Sequence, residues 1–196
     1  GELDGVAAGQ HVAVSPLYQL DSLSHEGRPI YWLRLSDNPT QNEEEPEVLY
    51  TGMHHAREPI GMQQMLFYMY YLLENYDTDP EVRYLVDNTE MYFIPLVNPD
   101  GYARNIYINP NGGGQWRKNR RINGNGTYGV DLNRNLPTKD WGKSALKYWN
   151  GPANGSKRYY PGQKPGSENE TRFQMALIQR FKPQKILSLH SPLNFY

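Results

Sequence analysis

The chain has 196 residues, a formal net charge of -1 and no cysteine. That length suits one domain, whole or part of something larger, with a sizeable core. The charge gives no electrostatic basis for binding nucleic acid or an acidic membrane, and disulfides and thiolate metal sites are excluded. Sixteen tyrosines, 18 glycines and 15 prolines suit a loop-rich enzyme rather than a helical bundle. No apolar run approaches the roughly 18 residues of a membrane span, and no signal-peptide pattern opens the chain, so a targeting segment is expected to be missing or already removed.

Residues 1–15 are small and weakly patterned, and a lead-in segment is expected there. Residues 17–23 and 29–35 are strand-like runs around Ser24-His25-Glu26-Gly27-Arg28, a hairpin signal. Residues 37–46 are polar, with Glu43, Glu44 and Glu45 in a row, and read as a solvated loop. Val48-Leu49-Tyr50 reads as a buried strand, which Gly52 breaks. Pro59 sits where a helix begins, because its missing N–H costs nothing there. Met62, Met65, Leu66, Met69, Leu72 and Leu73 then recur at helical spacing and read as core.

His55 and Glu58 therefore fall in a tight strand-to-helix connection, at the end of the strand where open α/β sheets place their sites. An imidazole and a carboxylate three apart in such a turn can face one divalent metal. His54 is adjacent and is a competing ligand.

Asp79-Pro80 is an N-cap followed by proline, so a short helix is predicted to about residue 88. Residues 91–97 form the next strand, ending in Asn98-Pro99-Asp100-Gly101-Tyr102, a turn by composition. Residues 105–128 are dense in Gly, Asn and Arg and read as a long loop of the functional kind. Residues 136–166 again lack periodicity. Ser167-Glu168-Asn169-Glu170 has the form of a capping box. It opens a helix with Phe173, Ala176, Leu177 and Phe181 facing inward, and residues 185–190 read as a buried strand ending in His190. Strands alternating with helices predict an α/β fold with a mixed, largely parallel sheet and helices on both faces.

Two strand ends thus carry histidine, and His55, Glu58 and His190 make a His₂Glu set, a recognised catalytic zinc shell. His11 and His25 have no partners near them in sequence and are assigned to the surface. Arg57, the basic run Arg117-Lys118-Asn119-Arg120-Arg121 and Asn133-Arg134 supply cations, and guanidinium forks bind carboxylates bidentately.

These residues resemble the zinc metallocarboxypeptidases of the carboxypeptidase A/B type, the M14 peptidases. The resemblance rests on Gly52…His55-Ala56-Arg57-Glu58, Asn98-Pro99-Asp100-Gly101-Tyr102, Trp116-Arg117-Lys118-Asn119-Arg120, Gly129-Val130-Asp131-Leu132-Asn133-Arg134-Asn135 and Ser188-Leu189-His190-Ser191, in the family's order. Ser24…Gly27-Arg28-Pro29-Ile30 also looks like the family's first hairpin. The resemblance implies one Zn2+ per chain held by His55, Glu58 and His190. It implies Arg117 for polarising the scissile carbonyl, Asn133 and Arg134 for clamping the substrate's terminal carboxylate, Arg57 further along the cleft, and Ser191 lining it. The implied substrate is a peptide with a free C-terminal carboxylate, and the implied protein is a monomer.

In the family, the general-base glutamate, a tyrosine over the substrate and the side-pocket residue come later than position 196. The resemblance therefore implies a catalytic domain over residues 1–196 that is truncated on its C-terminal side, and a chain that is inactive or nearly so as written. Leu136-Pro137-Thr138-Lys139-Asp140-Trp141, the 160–168 segment and His190-Ser191-Pro192-Leu193 look more like the bacterial murein-peptide amidase branch. That branch cuts a γ-D-glutamyl bond to diaminopimelate. Three further readings stand beside a carboxypeptidase: such an amidase, an inactive module that binds carboxylate-ended ligands, and an α/β domain whose His and Arg residues are only structural. Tyrosine and asparagine richness points to a secreted or periplasmic protein.

Overall fold

The computed structural model describes residues 12–15, 23–111, 113–124, 126–141 and 158–191. His11, the first run of the expected hairpin over 17–22, the middle of the aperiodic stretch and Pro192-Leu193 lie outside the described residues. The centre is a five-stranded sheet of β1 (Val12–Ser15), β2 (Trp32–Leu35), β3 (Glu47–Gly52), β4 (Glu90–Ile94) and β5 (Lys185–Leu189), in the order β1-β2-β4-β3-β5. The sheet is mixed: β3 runs parallel to β4 and β5, while β1 with β2 and β2 with β4 are antiparallel.

β4 is the middle strand, and all its residues are buried. Successive side chains of a strand point to opposite faces, so β4 feeds two cores. Met91 and Phe93 pack with Leu35 and with Met65, Met69 and Leu72 of α1 (Ile60–Asn75) and Val82 and Val86 of α2 (Pro80–Asp87). Tyr92 and Ile94 pack on the other face with Trp32, Leu49 and with Phe173 and Leu177 of α4 (Asn169–Phe181). Phe181 completes that side, its ring centroid 5.1 Å from Trp32 and 4.1 Å from Tyr92. Helices therefore cover both faces, as the periodicity predicts, although Leu66 of the expected stripe is exposed and Ala176 only half-buried. The Asp79 carboxylate accepts from the N–H groups of Glu81 and Val82, the predicted cap.

Four expectations need correction. The lead-in contains β1, whose four residues carry too little pattern to announce a strand and which is ordered by pairing with β2. The Asn98-Pro99 turn is instead the start of α3 (Pro99–Ile108), and Asn98 accepts from the Gly101 N–H at 3.0 Å. It carries the same cap-then-proline signal as Asp79-Pro80, and it shortens the expected 105–128 loop. The capping box does not form: Glu168 holds the N-cap position without a side-chain cap bond, and Ser167 donates to it at 2.5 Å. Finally β5 pairs, among the described residues, with β3 alone, and leaves Ile186 and Leu187 exposed.

Gly101 seats α3 against the β3–α1 connection. A Cβ at this position would lie 2.6 Å from Ala56 Cβ and 2.7 Å from Lys118 O. Gly101→Ala is expected to destabilise the fold by about 1–3 kcal/mol, because neither a backbone carbonyl nor a buried alanine can yield easily. Urea unfolding monitored by circular dichroism measures this.

Candidate metal centre

The parallel strands β3 and β5 end on the same side of the sheet, in register through Gly52 and Leu189. Gly52 ends β3 where Met65 of α1 packs so closely that a Cβ would overlap it. Met53, buried, follows with a φ of 57°, a left-handed conformation that few non-glycine residues adopt. Two hydrogen bonds then fix the turn from outside: Ala56 N donates to Arg117 O at 3.0 Å, and Asn98 Nδ2 donates to His54 O at 3.1 Å. Glu58 N donates back to His55 O at 3.0 Å and closes it.

Within this frame His55 Nδ1 lies 2.9 Å from Glu58 Oε1, and His190 Nδ1 lies 2.8 Å from Glu58 Oε2. Candidate donor atoms of these three residues all lie within 4.8 Å of one another. Zinc takes nitrogen and oxygen at about 2.0–2.2 Å, so neighbouring donors in a tetrahedral shell stand about 3.4 Å apart. Two imidazole nitrogens and one carboxylate at the observed spacings thus fit zinc with small adjustments. Burial would raise the Glu58 pKa, but the hydrogen bonds to His190 and His55 outweigh it and hold the carboxyl well below its ordinary range. His54 does not compete. Gln174 Nε2 donates to Glu170 O, so Gln174 Oε1 accepts from His54 Nε2 at 2.8 Å. Burial keeps this ring neutral, its pKa pushed down to about 4.

Asp131 is the residue that sequence reasoning missed. It is fully buried, and its Oδ1 lies 3.1 Å from His55 Nε2. Its Oδ2 accepts from Arg117 Nε at 3.1 Å and from the second guanidinium nitrogen at 3.0 Å. With a metal on Nδ1, the Asp131 carboxylate would accept the proton of His55 on Nε2 and fix the ring's orientation toward Glu58 and His190. Burial opposes the Asp131 charge, but the bonds to His55 and Arg117 prevail and lower its pKa. The available signal was chemical: a metal-binding histidine needs an acceptor for its second nitrogen. Asp131→Asn is expected to weaken zinc binding about 10–100-fold, read by competition with a chromophoric chelator.

Arg117 stands beside the set, one guanidinium nitrogen 3.7 Å from Glu58 Oε1. Asn133 and Arg134 lie on the 3-10 turn Leu132–Arg134, which the Asp131 side chain caps at Asn133 N. The ring of Tyr159 lies under both cations, 5.1 Å from the Arg117 guanidinium carbon and 5.8 Å from that of Arg134. Arg57 has buried Nε and Nη2 atoms without hydrogen-bond partners among the described residues, and so has the Ser191 hydroxyl. Burial first, and then Arg158 and Arg117, lower the Arg57 pKa. The structure thus brings His55, Glu58, His190 and Arg117 into contact and ties Asn133 and Arg134 to them through Asp131 and Tyr159. Arg57 is coupled to Arg117 and Glu58 by charge, and Ser191 follows His190 in the chain.

A zinc carboxypeptidase of Saccharothrix mutabilis subsp. capreolus is 42% identical over 112 residues, which cover 57% of this chain and 25% of that protein. The crystal structure of carboxypeptidase A from Helicoverpa armigera superposes with a TM-score of 0.75 at 28% identity, covering 94% of this chain and 42% of that one. A murein-tripeptide amidase from Escherichia coli O157 shares the fold with a TM-score of 0.53 at 23% identity, over 92% of this chain and 61% of that one. The chain therefore spans a quarter of the curated relative's length and less than half of the carboxypeptidase structure. The zinc carboxypeptidase (Peptidase M14) family profile matches residues 10–194, nearly the whole sequence and every motif above, and the chain belongs to that family.

Proposed function

We propose that this chain carries the metal set and substrate cations of a metallocarboxypeptidase that hydrolyses the C-terminal peptide bond. The observation that carries this reading is the convergence of His55 Nδ1, both Glu58 oxygens and His190 Nδ1 beside Arg117. Zinc, when bound by these three residues, supplies Lewis-acid polarisation of a carbonyl and of water. Every other contribution comes from the protein. Arg117, held by the Asp131 carboxylate, offers a preorganised positive charge where an oxyanion develops. Arg134 and Asn133 present a guanidinium and an amide to a terminal carboxylate, and that selects chain ends over internal bonds. Arg57 and Ser191 have buried donors still to be satisfied, which suits polar groups further along a peptide. Glu58 is engaged by both imidazoles and Asp131 by His55 and Arg117, so neither is free to take a proton from attacking water.

The test uses the full-length protein and three substrates: a peptide acid, its C-terminal amide, and a murein tripeptide. Release of the terminal residue from the acid, at least 100-fold faster than from the amide, is expected, and Arg134→Ala should erase that preference. Release of diaminopimelate from the murein peptide without action on the ordinary acid would make the protein an amidase. Binding of the acid without cleavage of any substrate would make it a silent carboxylate-binding module.

A further inference from the structure

Tyr159 gathers more cations than the proposed reaction uses. Its ring centroid lies 5.1 Å from the guanidinium carbon of Arg117, 5.8 Å from that of Arg134 and 5.4 Å from that of Arg158. Arg57 belongs to the same group: of the cations around it, Arg158 acts on it most strongly, ahead of Arg117. Sequence reasoning singled out neither Arg158 nor Tyr159, because both fall in the aperiodic 136–166 stretch.

The anions at hand are committed. Asp131 is bonded to His55 and Arg117, and Glu58 faces the two imidazoles. Between Asp140 and Glu168 the sequence holds no Asp or Glu, but it holds five cations, Lys143, Lys147, Lys157, Arg158 and Lys164. In a chain of net charge -1, that local excess is not a general basic character. Arg57 Nε and Nη2 are buried without hydrogen-bond partners among the described residues.

A single substrate carboxylate does not answer these charges. In the reading above it goes to Arg134 and Asn133, and the scissile carbonyl goes to Arg117. Arg57 and Arg158 are left over. An arginine lying on an aromatic ring spends only its flat face there and keeps its in-plane N–H fork for a carboxylate. Like charges gathered in one place repel, and a bound anion relieves this. Ala56 N bonds Arg117 O, so Arg57 comes next to Arg117. Consecutive residues of a peptide place their Cα atoms only about 3.8 Å apart. The residue that supplies the scissile carbonyl can therefore set an acidic group beside Arg57 and Arg158 while the terminal carboxylate stays with Arg134.

We infer that Arg158, together with Arg57, selects substrates that carry a second carboxylate on the residue supplying the scissile carbonyl. This selectivity rests on the carboxypeptidase reading above and names its substrate class. The carboxylate can be the side chain of an α-linked glutamate, or the free α-carboxylate of a glutamate joined through its side chain. Both present the same group to the two guanidinium forks.

The test uses the full-length protein and acetylated tripeptides that end in Ala, Leu, Phe or Lys. The residue before last is glutamate, glutamine or γ-linked glutamate. For a terminal residue that is released, glutamate in at least one linkage is expected to give a kcat/KM about 10–100-fold above glutamine, the scale of a hydrogen bond to a charged group. The faster linkage identifies the source of the carboxylate. Arg158→Gln should bring the ratio close to one, and Arg158→Lys should keep part of it. A substitution that merely loosened the fold would lower both rates and leave the ratio alone. A ratio near one in the parent, or one that Arg158→Gln leaves unchanged, would overturn the inference and leave the carboxypeptidase reading intact. If no peptide is cut, that reading fails instead, and calorimetric binding of the same peptides decides the selectivity. Tighter binding of a glutamate peptide by about tenfold, lost in Arg158→Gln, is then expected, and equal affinities for glutamate and glutamine would overturn it.

Discussion

Glu58→Gln is expected to bind zinc about 10²–10³-fold more weakly than the parent chain. Apparent zinc binding energies of roughly 10–16 kcal/mol for four-ligand structural sites come to about 2.5–4 kcal/mol per ligand, which sets this scale. The substitution isolates charge from shape. Glutamine keeps the side-chain volume, and His55 remains pinned by Asp131 on its other nitrogen. What is lost is the anion that faces both imidazoles at 2.8–2.9 Å and offsets Arg117 at 3.7 Å. Chelator competition at fixed pH measures the affinity, and circular dichroism checks that the fold persists. An affinity within threefold of the parent would show that Glu58 is not part of the set.

The largest stability effect is expected at Glu90, far from the metal group. Glu90 is fully buried at the start of β4, where Oε1 accepts from Arg34 and from Glu43 N at 2.9 Å, and Oε2 accepts from Tyr92 OH at 2.5 Å. Arg34 is itself buried, and it reaches on to the carbonyls of Pro39 and Gln41. One carboxylate thus binds β2, β4 and the acidic loop together. Glu90→Ala leaves the guanidinium, a phenol and an amide without their acceptor. Breaking a buried pair from one side costs about 3–5 kcal/mol, which for a chain of this size lowers the melting temperature by roughly 6–20 °C. The double variant Arg34→Met/Glu90→Leu is expected to regain most of this, because apolar replacement of both partners leaves no orphaned charge. Scanning calorimetry of Arg34→Met, Glu90→Leu and the double variant closes the cycle. A double variant as unstable as Glu90→Ala would show that the loss comes from packing rather than from the stranded cation.

What the sequence disclosed was mostly local. His55 and Glu58 stand out because a strand, a glycine and a proline-started helix follow one another within a dozen residues or so. Asp79-Pro80 gives its helix for the same reason. Long-range relations were hidden. Asp131 lies 76 residues from the imidazole it orients, and nothing in its own neighbourhood says so. Ser167-Glu168-Asn169-Glu170 obeys a local capping rule, but Asn119, Arg121 and His25 draw the carboxylates inward from 47 to 143 residues away. Asn98-Pro99-Asp100-Gly101 satisfies turn and helix-start rules alike, and packing of Gly101 against Ala56 accompanies the helical outcome. The apolar run of β5 predicts a strand correctly but not its exposure, because burial depends on what lies beside it.

His55, Glu58 and His190 are placed to hold one zinc. Anomalous diffraction from crystals of protein purified without added metal, collected on both sides of the zinc absorption edge, checks this. A peak bounded by His55 Nδ1, Glu58 and His190 Nδ1, present above the edge and absent below it, is the predicted result. Well-ordered side chains at all three positions with no such peak, in crystals soaked in zinc as well, would contradict the account.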